Sequence, residues 1–205
     1  MPVNSPKQAR SSASTKRMLD AAEALLANKG PDSVTVENVI AEAKTSMGSF
    51  YARFKNREGL ISALHHRFLE TVQNEVLAAF ESHVPKETLL EDLADFSYEF
   101  FRVVSVNRRS FLFFVIDNSF NSKMRKEAQI VKTVMHDRLS KLIRSHKNEL
   151  TKKNLKASIE VVLQIYYGLF LEVVLYENGF SGNTKSSLKK ITKEYAVAVV
   201  EYLKY

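Results

Sequence analysis

The 205-residue chain contains no cysteine, which excludes disulfides, thiolate metal sites and cysteine nucleophiles together and fits a reducing compartment. Its four prolines are Pro2, Pro6, Pro31 and Pro85, so everything after residue 85 is free of the strongest helix breaker. No alternation of apolar and polar residues competes as a strand pattern, and no internal repeat is visible. No unbroken apolar run reaches the roughly 18 residues that cross a bilayer. The polar start, MPVNSPKQARSSAS, lacks the apolar segment of a signal peptide. A cytoplasmic protein with no membrane partner is therefore expected. Glycine-rich phosphate loops, H-E-x-x-H and G-x-S-x-G are all missing. His65 and His66 are adjacent and diverge on a helix, while His83, His136 and His146 are scattered. Without several converging donors these read as surface or half-buried residues rather than metal ligands. The expectation is a protein that is not an enzyme and carries no cofactor.

What is present is ordinary for a globular chain, 45% hydrophobic and 26% charged, with a net charge of +7 that suits a polyanionic partner. Lys7, Arg10, Lys16 and Arg17 form a short basic arm with no acid among the first 17 residues, placed to touch phosphates. Between Lys123 and Lys156 there are eleven Lys or Arg against Glu127, Asp137 and Glu149. A solvated helix face is the first reading of that segment; a distal DNA contact or the counter-charge of an anionic ligand are the alternatives.

The stretch VTVENVIAEAKTSMGSFYARFKN, residues 34 to 56, carries the clearest pattern. Val36, Val39, Ile40 and Ala43 make one apolar helical stripe, with Thr35 before it as a hydroxyl N-cap. Lys44 and Thr45 interrupt the stripe. Ser46 then caps a second helix, in which Phe50 and Phe54 share a face while Ser49, Tyr51 and Arg53 project elsewhere. Two short helices joined by a tight turn form a helix-turn-helix, whose second helix reads base edges in a major groove.

The wording T-V-x-x-V-I-A-x-A-x-T-S-x-G-S-F-Y-x-R-F-x-N-R-E-x-L from Thr35 to Leu60 resembles the N-terminal signature of the TetR/AcrR family of bacterial repressors. It covers about the first quarter of the chain, and the family commonly has glycine where Lys44 stands, so the resemblance implies a left-handed or otherwise tight backbone at that residue. The resemblance implies that Met47, Gly48, Ser49 and Tyr51 face base edges or the groove wall, with Arg53 and Arg57 near phosphates and Phe50 and Phe54 in the core. Lys16, Arg17, Thr35, Thr45 and Ser46 complete the expected DNA-facing set. By spacing alone Met47 is ambiguous, since it lies three before Phe50.

Along the rest of the chain, residues 1–14 read as a disordered basic tail and helix one starts near Thr15, with Met18, Leu19, Ala22, Leu25 and Leu26 buried. Gly30 and Pro31 stop it. Asn56 caps a long helix with apolar positions Leu60, Leu64, Phe68, Val72, Val76 and Phe80. Further helices are expected near Glu87 to Val104, Arg109 to Asn118, Lys123 to Ser145, Asn154 to Glu177 and Ser186 to Leu203, with Gly179, Ser181, Gly182 and Asn183 marking the last loop. Aromatic residues gather in this second part, Phe120 among them. Core packing explains most, but Phe96, Phe100, Phe111, Phe114, Tyr166, Tyr167 and Phe170 are candidate walls of an apolar ligand pocket with tyrosine hydroxyls as polar handles.

The expected fold is all-α, with an N-terminal three-helix helix-turn-helix module over residues 15–60 and a C-terminal helical ligand-binding and dimerisation bundle over 61–205. The expected function is sequence-specific binding of double-stranded operator DNA by a homodimer, a repressor released by a small hydrophobic effector. Dimerisation is expected through the last two long helices, with Ile159, Leu163, Val173, Leu188, Ile191 and Val199 on their apolar faces. The alternative is a helical protein-interaction or scaffold module without specific DNA binding.

Overall fold

Helices begin where the sequence supplies ends for them. In the computed structural model, which describes residues 6–81, 83–117, 122–175 and 188–205, every regular element is helical. In chain order they are α1 (Pro6–Lys29), α2 (Val36–Glu42), α3 (Met47–Phe54), α4 (Arg57–Glu81), α5 (Leu89–Val106), α6 (Arg108–Phe111), α7 (Ser122–Ser145), α8 (Leu155–Leu175) and α9 (Leu188–Lys204). Hydroxyl caps open three of them: Thr35, Ser46 and Thr88 accept from backbone N–H groups three residues on.

Several boundaries differ from expectation. Helix α1 starts at Pro6 rather than near Thr15, because proline fits a first helical turn and Lys7, Gln8, Ala9 and Arg10 do not oppose helix. A polar composition alone did not make residues 6–14 a tail; residues 1–5 lie outside the described residues. Helix α6 is a single turn that widens into a π-helical turn, Leu112–Asp117, where Phe111, Phe113 and Phe114 are all buried. The expected helix ends at Asn118, Glu177 and Ser186, the loop from Gly179 to Asn183, and Phe120 also lie outside the described residues.

In α4, Leu60, Leu64, Phe68, Val72 and Val76 are buried, with Phe80 packed against the same core. A spacing of four overshoots the 3.6-residue turn by about 40° at each step, so this stripe winds about 200° around the helix. One end of α4 can thus pack on α3 and the other on α5 and α7, which is what it does. The expected module boundary at residue 60 falls inside α4, a helix common to both parts. In the second part α9 packs along α5, and α7 and α8 also pack on α5 and on each other. Helix α8 is long and apolar enough to cross a membrane by length and composition. Glu160 and Glu172 break any unbroken apolar run, which hid this in the sequence. Part of its apolar surface, from Ile159, Val162, Tyr166, Leu169 and Val174, is buried within the bundle.

Candidate nucleic-acid interface

The turn between α2 and α3 is a Schellman motif: the Thr45 N–H donates to Ile40 C=O at 3.1 Å and the Lys44 N–H to Ala41 C=O at 3.2 Å. Lys44 sits at φ 48°, in the left-handed region, so the geometry that favours glycine is adopted by a lysine. At each side of the turn a cap fixes a helix start. Thr35 Oγ1 accepts from the Asn38 N–H and Ser46 Oγ from the Ser49 N–H, both at 3.2 Å.

Phe50 and Phe54 anchor α3, fully and almost fully buried, with ring centroids 5.3 Å apart. The opposite face is open. Met47 is 46% and Tyr51 48% exposed, so Met47 belongs with the outward residues and not with Phe50. Ser46 and Gly48 are exposed as well, and a Cβ at Gly48 would meet nothing within 4 Å. Helix α4 locks this arrangement from behind. A Cβ on Gly59 would lie 1.9 Å from the Phe54 carbonyl oxygen, so only glycine permits α4 to start this close to the end of α3. Asn56 Oδ1 caps α4 by accepting from the Gly59 N–H at 2.8 Å, as the sequence led us to expect.

The cations expected beside phosphates have local duties too. Arg57 Nε donates to Val34 C=O at 2.8 Å, tying α4 to the entrance of α2, and Arg53 Nη1 donates to Ser49 C=O at 3.2 Å. Lys16 pairs with Asp20 at 2.8 Å, whereas Arg17 is exposed. Thr35, Thr45 and Ser49 are half-buried. The eleven DNA-facing candidates therefore fall into two groups: Ser46, Met47, Gly48, Ser49 and Tyr51 at the start of α3, and six flanking residues, Lys16 and Arg17 on α1, Thr35 before α2, Thr45 in the turn, Arg53 near the end of α3 and Arg57 on α4.

The seven aromatic candidates do not converge on one cavity. A cavity of about 990 Å³ is bordered by α1, α4, α5, α6, α8 and α9, and of the seven only Phe114 lines it. The others pack on each other. Phe96 meets Phe80 and Tyr166, Phe100 meets Phe101, and Phe111 meets Phe68 and Phe170. Tyr166 is buried and its hydroxyl is 2.5 Å from Ser97 Oγ, and burial pushes the phenol far above its ordinary 10.0. Tyr167 is 51% exposed and stacked on Phe170, with the Lys132 ammonium 5.8 Å from its ring centroid.

The cavity's apolar lining includes Leu64, Phe68, Leu169, Val173 and Ile191, with Glu23, Arg67, Arg109 and Glu172 among its polar groups. Sequence reasoning missed these polar residues. Arg67 reaches Asp20 at 2.6 Å and Glu23 at 3.0 Å, and Arg109 donates to Ala27 C=O near the end of α1. Burial raises the Glu23 pKa against the pull of Arg67. Contacts that span 47 and 82 residues leave no periodic or local trace in a sequence.

A helix anchored by buried phenylalanines, with an open outer face and a braced turn before it, has the geometry of a helix-turn-helix. Residues 18–64 match the family model for bacterial regulatory proteins of the tetR family. No curated protein matches the sequence. Solved structures share the fold over nearly the whole chain. A tetR-family regulatory protein from Rhodococcus RHA1 is 18% identical, covering 93% of this chain and 97% of that one, with a TM-score of 0.68. The TetR-family transcriptional regulator PfmR from Thermus thermophilus is 15% identical, covering 92% and 100%, at 0.63. The fatty acid degradation regulator FadR from Bacillus halodurans is 14% identical, covering 97% of each chain, at 0.62. At these identities the structural likeness is one of fold. The N-terminal domain thus matches the tetR regulatory family, and the fold of the chain is that of TetR-family regulators, which supports a DNA-binding regulator.

Proposed function

We propose that this protein is a cytoplasmic, homodimeric repressor that grips operator DNA with α3 and is released by a small, largely apolar effector. The observation that carries the reading is the outward face of α3, Met47 to Tyr51, held on buried Phe50 and Phe54. Met47, Gly48, Ser49 and Tyr51 read base edges or the groove wall. Ser46, Thr45, Thr35, Arg53, Arg57, Lys16 and Arg17 serve the phosphates.

Dimerisation is supported by an uncovered stripe on α8. Val161, Gln164, Gly168, Leu171 and Leu175 recur at heptad positions, and all but half-buried Leu171 are exposed. Val197 on α9 is also exposed. Ile159 and Val199, expected on the dimer face, are instead core within the subunit. Gly168 has no atom within 4 Å of its would-be Cβ, which leaves room for a partner helix to approach closely. The effector site we favour is the cavity between α1 and the C-terminal helices, whose size lies at the upper end of small-molecule sites. Phe114 is on its wall, and Phe111 packs behind lining residue Phe68. A ligand there touches α1 and α4 together, and so acts on the placement of α3. Such linkage typically amounts to about 1–3 kcal/mol and is reciprocal.

The test is selection of DNA from a random-sequence pool, followed by binding of the enriched duplex with non-specific competitor present. The reading expects a palindrome with half-sites about 34–36 Å apart, bound by a dimer. Absence of any sequence preference would favour the scaffold alternative.

A further inference from the structure

Asp92, on the first turn of α5, is an almost fully buried carboxylate held from three sides. Its Oδ1 accepts from His83 Nε2–H and from the Lys86 N–H, both at 2.8 Å, and its Oδ2 lies 2.6 Å from His146 Nε2. The second ring nitrogen of His146, Nδ1, lies 2.8 Å from Glu149 Oε1, which also accepts from the Leu89 N–H at 3.0 Å. Carboxylates offer no hydrogen, so each imidazole nitrogen facing one must carry its own proton. For His83 this requires only Nε2–H. For His146 both nitrogens are committed, so the geometry requires the imidazolium cation.

The groups belong to different elements: His83 and Lys86 follow α4, Leu89 and Asp92 open α5, His146 follows α7, and Glu149 ends the next short turn. The charged groups that act on His146 are Asp92 and Glu149; the Lys86 ammonium is turned to Asp95 at 3.1 Å. We propose that this cluster is a proton-held latch. One proton on His146 closes the α5–α7 junction and the loop leaving α4, and its loss to water in alkaline solution sets a nitrogen lone pair against a carboxylate oxygen and opens them. Because α4 begins at the helix-turn-helix, the latch acts on the element common to both modules. It does not depend on which effector, or which cavity, the regulator uses.

The titration behaviour agrees with the geometry. Burial alone would lower the His146 pKa, but hydrogen bonds to Asp92 and Glu149 raise it above the ordinary 6.5. Burial alone would raise Asp92, but hydrogen bonds from His146, the Lys86 N–H and His83 hold it below 3.8. A raised histidine stabilises fully below its unfolded value and loses that contribution as pH rises through the folded one. A depressed aspartate stabilises above its unfolded value and loses that contribution as pH falls through the folded one. The latch is therefore closed between about pH 4 and 6.5 and weakens above that range.

The experiment is nitrogen-15 NMR of the histidine rings in the full chain, paired with denaturant unfolding between about pH 6.5 and 8.5. Both His146 nitrogens should be protonated at about pH 7, and the unfolding equilibrium constant should rise by up to about tenfold per pH unit. Subtracting the same profile for His146→Gln isolates the latch from exposed His136, which Glu160 and Asp137 also shift upward. That variant should lose the alkaline slope. Glu149→Gln keeps the fold's other contacts with Asp92 and should let His146 release its proton at lower pH, which gives a reading even if His146→Gln fails to fold. A neutral His146 at about pH 7, or an unchanged slope in His146→Gln, would overturn the proposal.

Discussion

The helix-turn-helix and the C-terminal bundle differ in the range of the contacts that hold their polar groups. Around α2 and α3 nearly every polar group is satisfied within five residues: Thr35 by Asn38, Ser46 by Ser49, the Lys44 turn by Ile40 and Ala41. The bundle has local bonds too, such as Thr88 with Glu91, but adds pairs that are distant in sequence. His146 meets Asp92 across 54 residues, Leu89 meets Glu149 across 60, and Ser97 meets Tyr166 across 69. Local devices build a rigid reading head from a short segment. Long-range ones hold helices at angles that a small change in charge or volume can shift.

Breaking the local module should cost most. Phe54→Ala removes an anchor that is 6% exposed and should destabilise the protein by about 3–5 kcal/mol in urea unfolding. A change on the bundle's outward face should leave stability alone and strike assembly instead. Gly168→Arg places a long cation on the open α8 stripe and should raise the dimer dissociation constant at least about a hundredfold, or about 2.7 kcal/mol, in sedimentation. Arg57→Ala should cost about 1 kcal/mol of stability through the lost bond to Val34 C=O, and weaken all DNA alike with a salt slope lower by about one. Smallest is Lys44→Gly, which relieves a left-handed residue and should stabilise the fold by roughly 0.5–1 kcal/mol in the same urea unfolding.

The same difference in range explains what was legible beforehand. Caps at Thr35, Ser46 and Asn56 and the four-residue stripe of α4 are local or periodic and were read from residue types and spacing, while the tight turn at Lys44 and the burial of Phe50 and Phe54 were implied by the family resemblance of the same short segment. Met47 could not be assigned because a spacing of three permits either face; its exposure in the folded chain decided it. The aromatic residues were legible as a cluster but not as a wall, since whether rings enclose space or fill it depends on how helices cross. Tyr166 shows this: its hydroxyl, expected as a handle for a ligand, is satisfied by Ser97. The histidines were judged singly, and His83 and His146 matter only because α4, α5 and α7 bring them to one carboxylate.

The central claim, that α3 reads sequence from a braced and independent face, is tested most directly by the Tyr51→Ala variant on the DNA selected by the intact protein. Tyr51 is 48% exposed, and its ring meets the buried Phe50 ring edge-on at 5.5 Å. The account predicts a loss of about 1–3 kcal/mol in binding to the selected site by fluorescence anisotropy, with non-specific DNA binding and unfolding unchanged. Undiminished affinity for the selected site, or an equal loss on every DNA, would contradict it.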